Sequence, residues 1–206
     1  MADLGRRSAL RLIGGAPFAV SFGLTAAAAE TAHAHALAAL AAGAKGTPYK
    51  PKFFSAHEWQ TVRVLVDLII PRDARSGGAT DAGVPEFMDY LMNDPTDTDL
   101  QRERRQTAMR GGLAWLDREC LTRFDKTFVM CTAAERTQVL DDIAWPQKAK
   151  PELSHGVAFF NSFRDLTASG FFTSRMGFAD LQYMGNRYVP EWTGCPDEVT
   201  KKLGLT

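Results

Sequence analysis

The amino-acid sequence predicts an all-α single domain of about five helices, followed by a long, irregular, aromatic-rich C-terminal tail. Three observations carry that prediction. Ser/Thr-x-x-Glu/Gln capping boxes occur three times, at Ser55–Glu58, Thr98–Gln101 and Thr132–Glu135, each at the head of a helix-forming stretch. No stretch alternates apolar and polar residues with the period of a strand, and neither Asn-Gly nor Asp-Gly occurs to turn a hairpin. At 206 residues, 45% hydrophobic and 23% charged, the chain can bury one ordinary core, with little left for a second.

The elements follow in order. Ser55 opens a helix in which Trp59, Val62, Leu65, Val66, Leu68 and Ile69 recur at helical spacing, and Pro71 stops it near Ile70. Residues 72–83, rich in Gly, Asp and Ser, read as a surface loop. Pro85 suits the first turn of a short helix carrying Phe87, Met88, Tyr90 and Leu91. Thr98 opens a long helix to about Phe124, expected to bury Leu100, Ala108, Gly111, Trp115 and Leu121 in part and to leave Arg102, Glu103, Arg104 and Arg105 as a solvated face. Gly111-Gly112 reads as a place of close helix packing. Thr132 opens a helix to about Trp145, and another is expected over 152–169 with Val157, Phe160 and Phe163 inward and Gly170 capping its end. From Phe171 onward no helical period is evident. Phe171, Phe172, Phe178, Tyr183, Met184, Tyr188 and Trp192 crowd this tail, and so much aromatic surface must pack on the bundle or on another chain.

The N-terminus has a different character. Arg6-Arg7 precedes a weakly apolar stretch interrupted by Gly14, Gly15, Pro17 and Gly23, which passes into Ala-x-Ala sequences such as Ala27-Ala28-Ala29. A charged start, an apolar middle and a small-residue end describe an export signal, and the paired arginines point to the twin-arginine route to the periplasm. Residues 1–29 are therefore read as the leader, with a cut between 29 and 36, and residues 37–52 as an Ala/Gly/Pro tether ahead of the domain at 53–206. His33 and His35 read as part of that linker. The 24 basic residues balance 24 acidic ones, and without the leader the chain is slightly acidic, so non-specific nucleic-acid binding has no electrostatic basis.

The chemistry-bearing motifs are missing. No G-x-G-x-x-G follows a strand, no C-x-x-C-H offers covalent haem attachment, and three cysteines cannot hold a four-thiolate cluster. His57-Glu58 lacks a second histidine four positions on. Ser154-His155 and Asp141-Asp142 are sequence neighbours, which sit on different helix faces. No residue is assigned as catalytic, cofactor-binding or metal-ligating. Because the twin-arginine route carries cargo already folded, typically around a cofactor, the cofactor is expected on a partner that travels with this chain.

The residues then carry a resemblance. The twin-arginine leader, Phe54-Ser55-Ala56-His57-Glu58, Asp67-Leu68-Ile69-Ile70-Pro71-Arg72-Asp73, Ala79–Phe87, Asp180-Leu181-Gln182-Tyr183-Met184-Gly185-Asn186 and Trp192-Thr193-Gly194-Cys195-Pro196 occur in that order. Together, over about residues 50–200, they resemble the gluconate 2-dehydrogenase subunit 3 family, the small (gamma) subunits of FAD-dependent sugar or sugar-acid dehydrogenases. The resemblance implies a non-catalytic subunit in an acceptor-dependent dehydrogenase complex acting on CH-OH groups. A flavoprotein of the glucose–methanol–choline oxidoreductase type would carry FAD, a multihaem cytochrome c subunit often passes electrons onward, and the small subunit would act as chaperone and lead the flavoprotein through the twin-arginine translocase.

Within that reading Phe171, Phe172, Tyr183, Tyr188 and Trp192 are the candidate partner interface, since aromatic side chains supply area and energetic anchors. Cys120 and Cys131 flank apolar helical positions and read as small core residues. Cys195, between Pro190 and Pro196, reads as exposed on a turn and as the candidate for an intersubunit disulfide in an oxidising compartment. The competing expectation is a stand-alone periplasmic helical module whose aromatic tail lines a small-ligand pocket.

Overall fold

The computed structural model describes residues 26–183, 190–191 and 194–204. Eight α-helices occur among the described residues: α1 (Ala26–Ala44), α2 (Ala56–Ile69), α3 (Val84–Met92), α4 (Asp99–Phe124), α5 (Ala133–Ala144), α6 (Ser154–Phe172), α7 (Arg175–Asp180) and α8 (Asp197–Lys202). No strand occurs among them. Short 3-10 turns at Phe128–Met130 and Pro151–Leu153 precede α5 and α6.

The three capping boxes form as expected. In each, the Ser or Thr hydroxyl accepts from the backbone N–H three residues on, and the Glu or Gln side chain accepts from the cap's own N–H. α6 lies at the centre and touches α2, α3, α4, α5 and α7. It meets α4 through reciprocal glycine notches: a Cβ on Gly112 would stand 1.8 Å from the Phe159 ring, and one on Gly156 would stand 2.2 Å from the Trp115 ring. Each helix therefore gives up one side chain to admit an aromatic ring of the other. Phe87, Phe128, Phe163, Phe171, Leu65 and Leu116 are among the fully buried side chains that fill the core.

Several expectations are corrected. The first part of the segment expected as a tether, residues 37–44, is helical and belongs to α1. Alanine is the best helix former, and its small side chain lets α1 lie close along α3, with Ala32 and Ala36 fully buried. Neither histidine is linker. His33 stacks on Phe87 at 4.5 Å and donates to the Thr173 hydroxyl (2.6 Å), while His35 stacks on Tyr90 at 5.0 Å.

On α4 the buried stripe is Arg105, Met109, Gly112, Leu113, Leu116 and Cys120, whereas Leu100, Gly111 and Leu121 are exposed. The stripe contains an arginine and a glycine, so apolar periodicity alone points to a rotated face. Arg105 is not part of a solvated face: its guanidinium pairs with Asp97 (2.8 Å) and donates to the Leu91 carbonyl (2.7 Å). Gly170 does not cap α6 but lies inside it, where a Cβ would press on Phe87 at 3.0 Å. The tail is also less irregular than expected, because α6 continues through Phe172 and α7 and α8 follow. The loop before α3 is tied down by carboxylates. Asp67 accepts from the Thr80 N–H (2.8 Å) and hydroxyl, and Asp81 accepts from the Gly78 N–H (2.8 Å) and from Arg72 (2.8 Å).

Candidate functional site: an aromatic docking surface and its polar anchor

The end of α6 divides the expected interface residues. Phe171 is 1% exposed and belongs to the core, so it is withdrawn from the interface. It faces inward because it follows Phe163 and Leu166 on the buried stripe of α6. Its neighbour Phe172 turns outward, 38% exposed, and the two rings meet edge to face at 5.2 Å. Ser174 then caps α7, its hydroxyl accepting from the Gly177 N–H (3.1 Å) and donating to the Phe171 carbonyl (2.6 Å). Gly177 makes the turn tight: a Cβ there would lie 2.1 Å from the Phe171 carbonyl oxygen. Arg75 reaches across from the α2–α3 loop and donates to the Asp180 carbonyl.

This folded-back turn displays Phe178 (43% exposed), Leu181 (55%) and Tyr183 (56%), with the Phe178 and Tyr183 rings 5.5 Å apart. Phe172, Phe178, Leu181 and Tyr183 thus stand on one short segment whose backbone is held by hydrogen bonds and close packing. Phe178 and Leu181 were not among the expected interface residues. The signal for them was present in a sequence that keeps Phe, Leu and Tyr beside glycine and polar residues with no helical period. Tyr188 and Trp192 lie outside the described residues, as do Arg6 and Arg7 of the leader. Cys195 is exposed, and Cys120 and Cys131 are buried.

A second feature, which sequence reasoning missed, anchors the N-terminal part of the chain. Asp89 is 1% exposed, on a short helix whose other residues are largely apolar. Its Oδ2 accepts from the Tyr49 hydroxyl (2.8 Å) and the Lys52 N–H (2.8 Å), and its Oδ1 from the N–H groups of Phe53 (2.9 Å) and Phe54 (3.2 Å). The Tyr49 oxygen accepts in turn from His35 Nε2 (3.2 Å). Arg110 closes the other side, donating to the Phe53 carbonyl (2.9 Å) and lying 4.5 Å above the Phe53 ring. A lone acid within Phe-Met-Asp-Tyr-Leu-Met was the available clue, since a buried carboxylate must find donors.

The surroundings shift several ionisations. Burial, then the Asp89 hydrogen bond, pushes the Tyr49 phenol far up, so it stays a donor. Burial lowers His33, and burial followed by the Lys52 charge lowers His35 against the opposing pull of Asp89. Both imidazoles are thus held toward the neutral form. Glu86, nearly buried on α3, has its carboxyl raised by burial, and its Oε2 has no hydrogen-bond partner.

Elsewhere several charged side chains form ion pairs. His57 pairs with Asp117 (2.5 Å), and Arg123 bridges Glu119 and Asp142 at 2.6 Å each. No cluster of three or more His, Cys, Asp or Glu side chains suited to a metal occurs among the described residues. Nor is any described helix long and apolar enough to cross a membrane.

No curated protein and no solved structure matches the chain. A family model does: that of gluconate 2-dehydrogenase subunit 3 matches residues 56–191, from the first turn of α2 to just past the aromatic turn. The match spans well over half of the sequence, including α2 to α7, and the protein belongs to the gluconate 2-dehydrogenase subunit 3 family.

Proposed function

We propose that this chain is the non-catalytic small subunit of a periplasmic, FAD-dependent sugar or sugar-acid dehydrogenase complex. In this reading a flavoprotein of the glucose–methanol–choline type carries the FAD and the reaction, and a multihaem cytochrome c subunit can complete the electron path. The small subunit supports maturation of the flavoprotein and takes it through the twin-arginine translocase on the leader that begins with Arg6-Arg7. Family membership supports the assignment to a multisubunit dehydrogenase. The observation that carries the docking role is the rigidly held aromatic turn, in which Phe172, Phe178, Leu181 and Tyr183 remain exposed on a chain with a full core of its own. Exposed aromatic anchors on a preorganised backbone are what a partner-binding surface requires. Cys195, exposed beyond that turn, is placed in this reading as the thiol that bridges to the flavoprotein.

The test is co-expression of the chain with its flavoprotein, reading flavoprotein activity in the periplasmic fraction and co-purification. A Phe178→Glu/Tyr183→Glu pair should abolish both while leaving the small subunit's Tm within ~2 °C, because both rings are already hydrated. Undiminished periplasmic flavoprotein with the double variant, or with Arg6→Lys/Arg7→Lys, removes the docking or the export part of the reading respectively.

A further inference from the structure

Between Phe172 and Tyr183 the chain carries only two charged residues, Arg175 and Asp180, and only one of them is answered within the chain. Arg75 covers Asp180, donating to its carbonyl and standing 3.4 Å from its carboxylate, which is 19% exposed. Arg175 is exposed, and no hydrogen bond, ion pair or aromatic ring among the described residues meets its guanidinium. It opens α7, whose first turn has no acidic residue although a carboxylate and not a cation is favoured there. Arg175, Phe178 and Leu181 follow at intervals of three and form one ridge along α7 and its C-cap. The Tyr183 ring lies 5.5 Å from Phe178. The exposed apolar surface therefore carries an unanswered positive charge on the same ridge as Phe178 and Leu181, which are 43% and 55% exposed. A partner that covers those two side chains also strips water from the guanidinium one turn away. A desolvated guanidinium without an anion is strongly unfavourable, so the covering surface must bring one.

We propose that Arg175 is the orienting contact of the aromatic docking surface, and that the face of the flavoprotein covering Phe178 and Leu181 is an apolar recess with an Asp or Glu carboxylate set opposite Arg175. The inference rests on the docking reading above and adds the chemistry of the matching surface. Apolar rings supply contact area but leave the partner free to slide. A guanidinium and a carboxylate meet as a planar, two-bonded pair, which fixes register and favours the encounter of opposite charges. Asp180 does not take this role, because Arg75 already holds it.

The experiment uses the full chain co-expressed with the flavoprotein. Arg175→Lys keeps the charge and supplies an amine, which a water-soluble carbodiimide joins only to a carboxylate in contact with it. Digestion and mass spectrometry should find position 175 linked through an amide to an Asp or Glu of the flavoprotein. Arg175→Glu should weaken the complex by about tenfold or more at low salt and flatten the fall in affinity between about 50 and 300 mM salt. Neither variant should move the small subunit's Tm by more than ~2 °C, since the side chain is exposed. A complex of Arg175→Lys with no cross-link at 175, or with one to a carboxylate of the small subunit itself, overturns the proposal. So does an Arg175→Glu complex with the parent's affinity and salt dependence. If Phe178→Glu/Tyr183→Glu still abolishes binding in that case, the docking reading stands and only the carboxylate opposite Arg175 is lost; if the double variant binds normally, the docking reading itself falls.

Discussion

Replacing Asp89 by Ala should be among the most damaging single changes in the molecule, and the cost can be worked from its contacts. Four donors converge on this carboxylate: the Tyr49 hydroxyl and the N–H groups of Lys52, Phe53 and Phe54. Tyr49 and Lys52 are near enough to solvent to recover water. Phe53 and Phe54 are buried, and nothing else reaches their N–H groups. Two buried hydrogen bonds to a charged acceptor, at ~1.5–3 kcal/mol each, give a loss of about 3–6 kcal/mol. For a chain of this length that lowers Tm by roughly 6–24 °C. Urea denaturation followed by circular dichroism measures it, and hydrogen exchange should show the 49–54 segment and α1 losing protection first. Asp89→Asn keeps one acceptor oxygen and should recover part of the loss. If Asp89→Ala melts within ~2 °C of the parent, the buried carboxylate is not what fixes this segment.

Three further outcomes follow from the same geometry. Glu86 has a folded-state carboxyl raised above its ordinary 4.5, so its stabilising contribution is complete below that value and is lost as pH rises; Glu86→Gln should therefore raise Tm at neutral pH, with the difference shrinking toward pH 4.5. His33 and His35 have folded values below 6.5, so the stability they contribute is present above 6.5 and lost as pH falls through the folded values. Tm should fall as pH drops below 6.5, and less so in His33→Gln/His35→Gln. Gly177→Ala would put a Cβ 2.1 Å from the Phe171 carbonyl oxygen. It should detach α7 and weaken partner co-purification more than it lowers Tm, and normal co-purification would mean that the seat of the aromatic turn is not part of the interface.

Legibility followed the kind of signal each element carried. Helix starts marked by local chemistry, the boxes at Ser55, Thr98 and Thr132 and Pro85 at the head of α3, were readable because the capping partners lie within one turn. The buried face of α4 was not, since it is decided by Asp97 pairing with Arg105 and by Phe159 seating on Gly112, both unknown before the elements meet. The helix over residues 26–44 was not legible because alanine is common to signal ends, linkers and helices, and its packing along α3 is not visible in the sequence. The same limit applied to the tail. Its aromatic content was visible, but the division of Phe171 from Phe172 depends on where α6 stops.

The position of α1 ties the N-terminal part of the described chain to the aromatic turn. α1 is the first described element, and it lies along α3 with His33 on Phe87 and His35 on Tyr90. A side-chain hydrogen bond from α1 to the α6–α7 junction runs from His33 to Thr173, the residue after Phe172. The Asp89 anchor fixes the far end, where the chain leaves α1 through Tyr49 and enters α2. α1 is therefore held from two sides, by His33 at the α6–α7 junction and by His35 on Tyr49, which donates to the buried Asp89 carboxylate. Loosening the turn removes the acceptor that holds His33, and protonating His33 forces a charge into that half-buried contact.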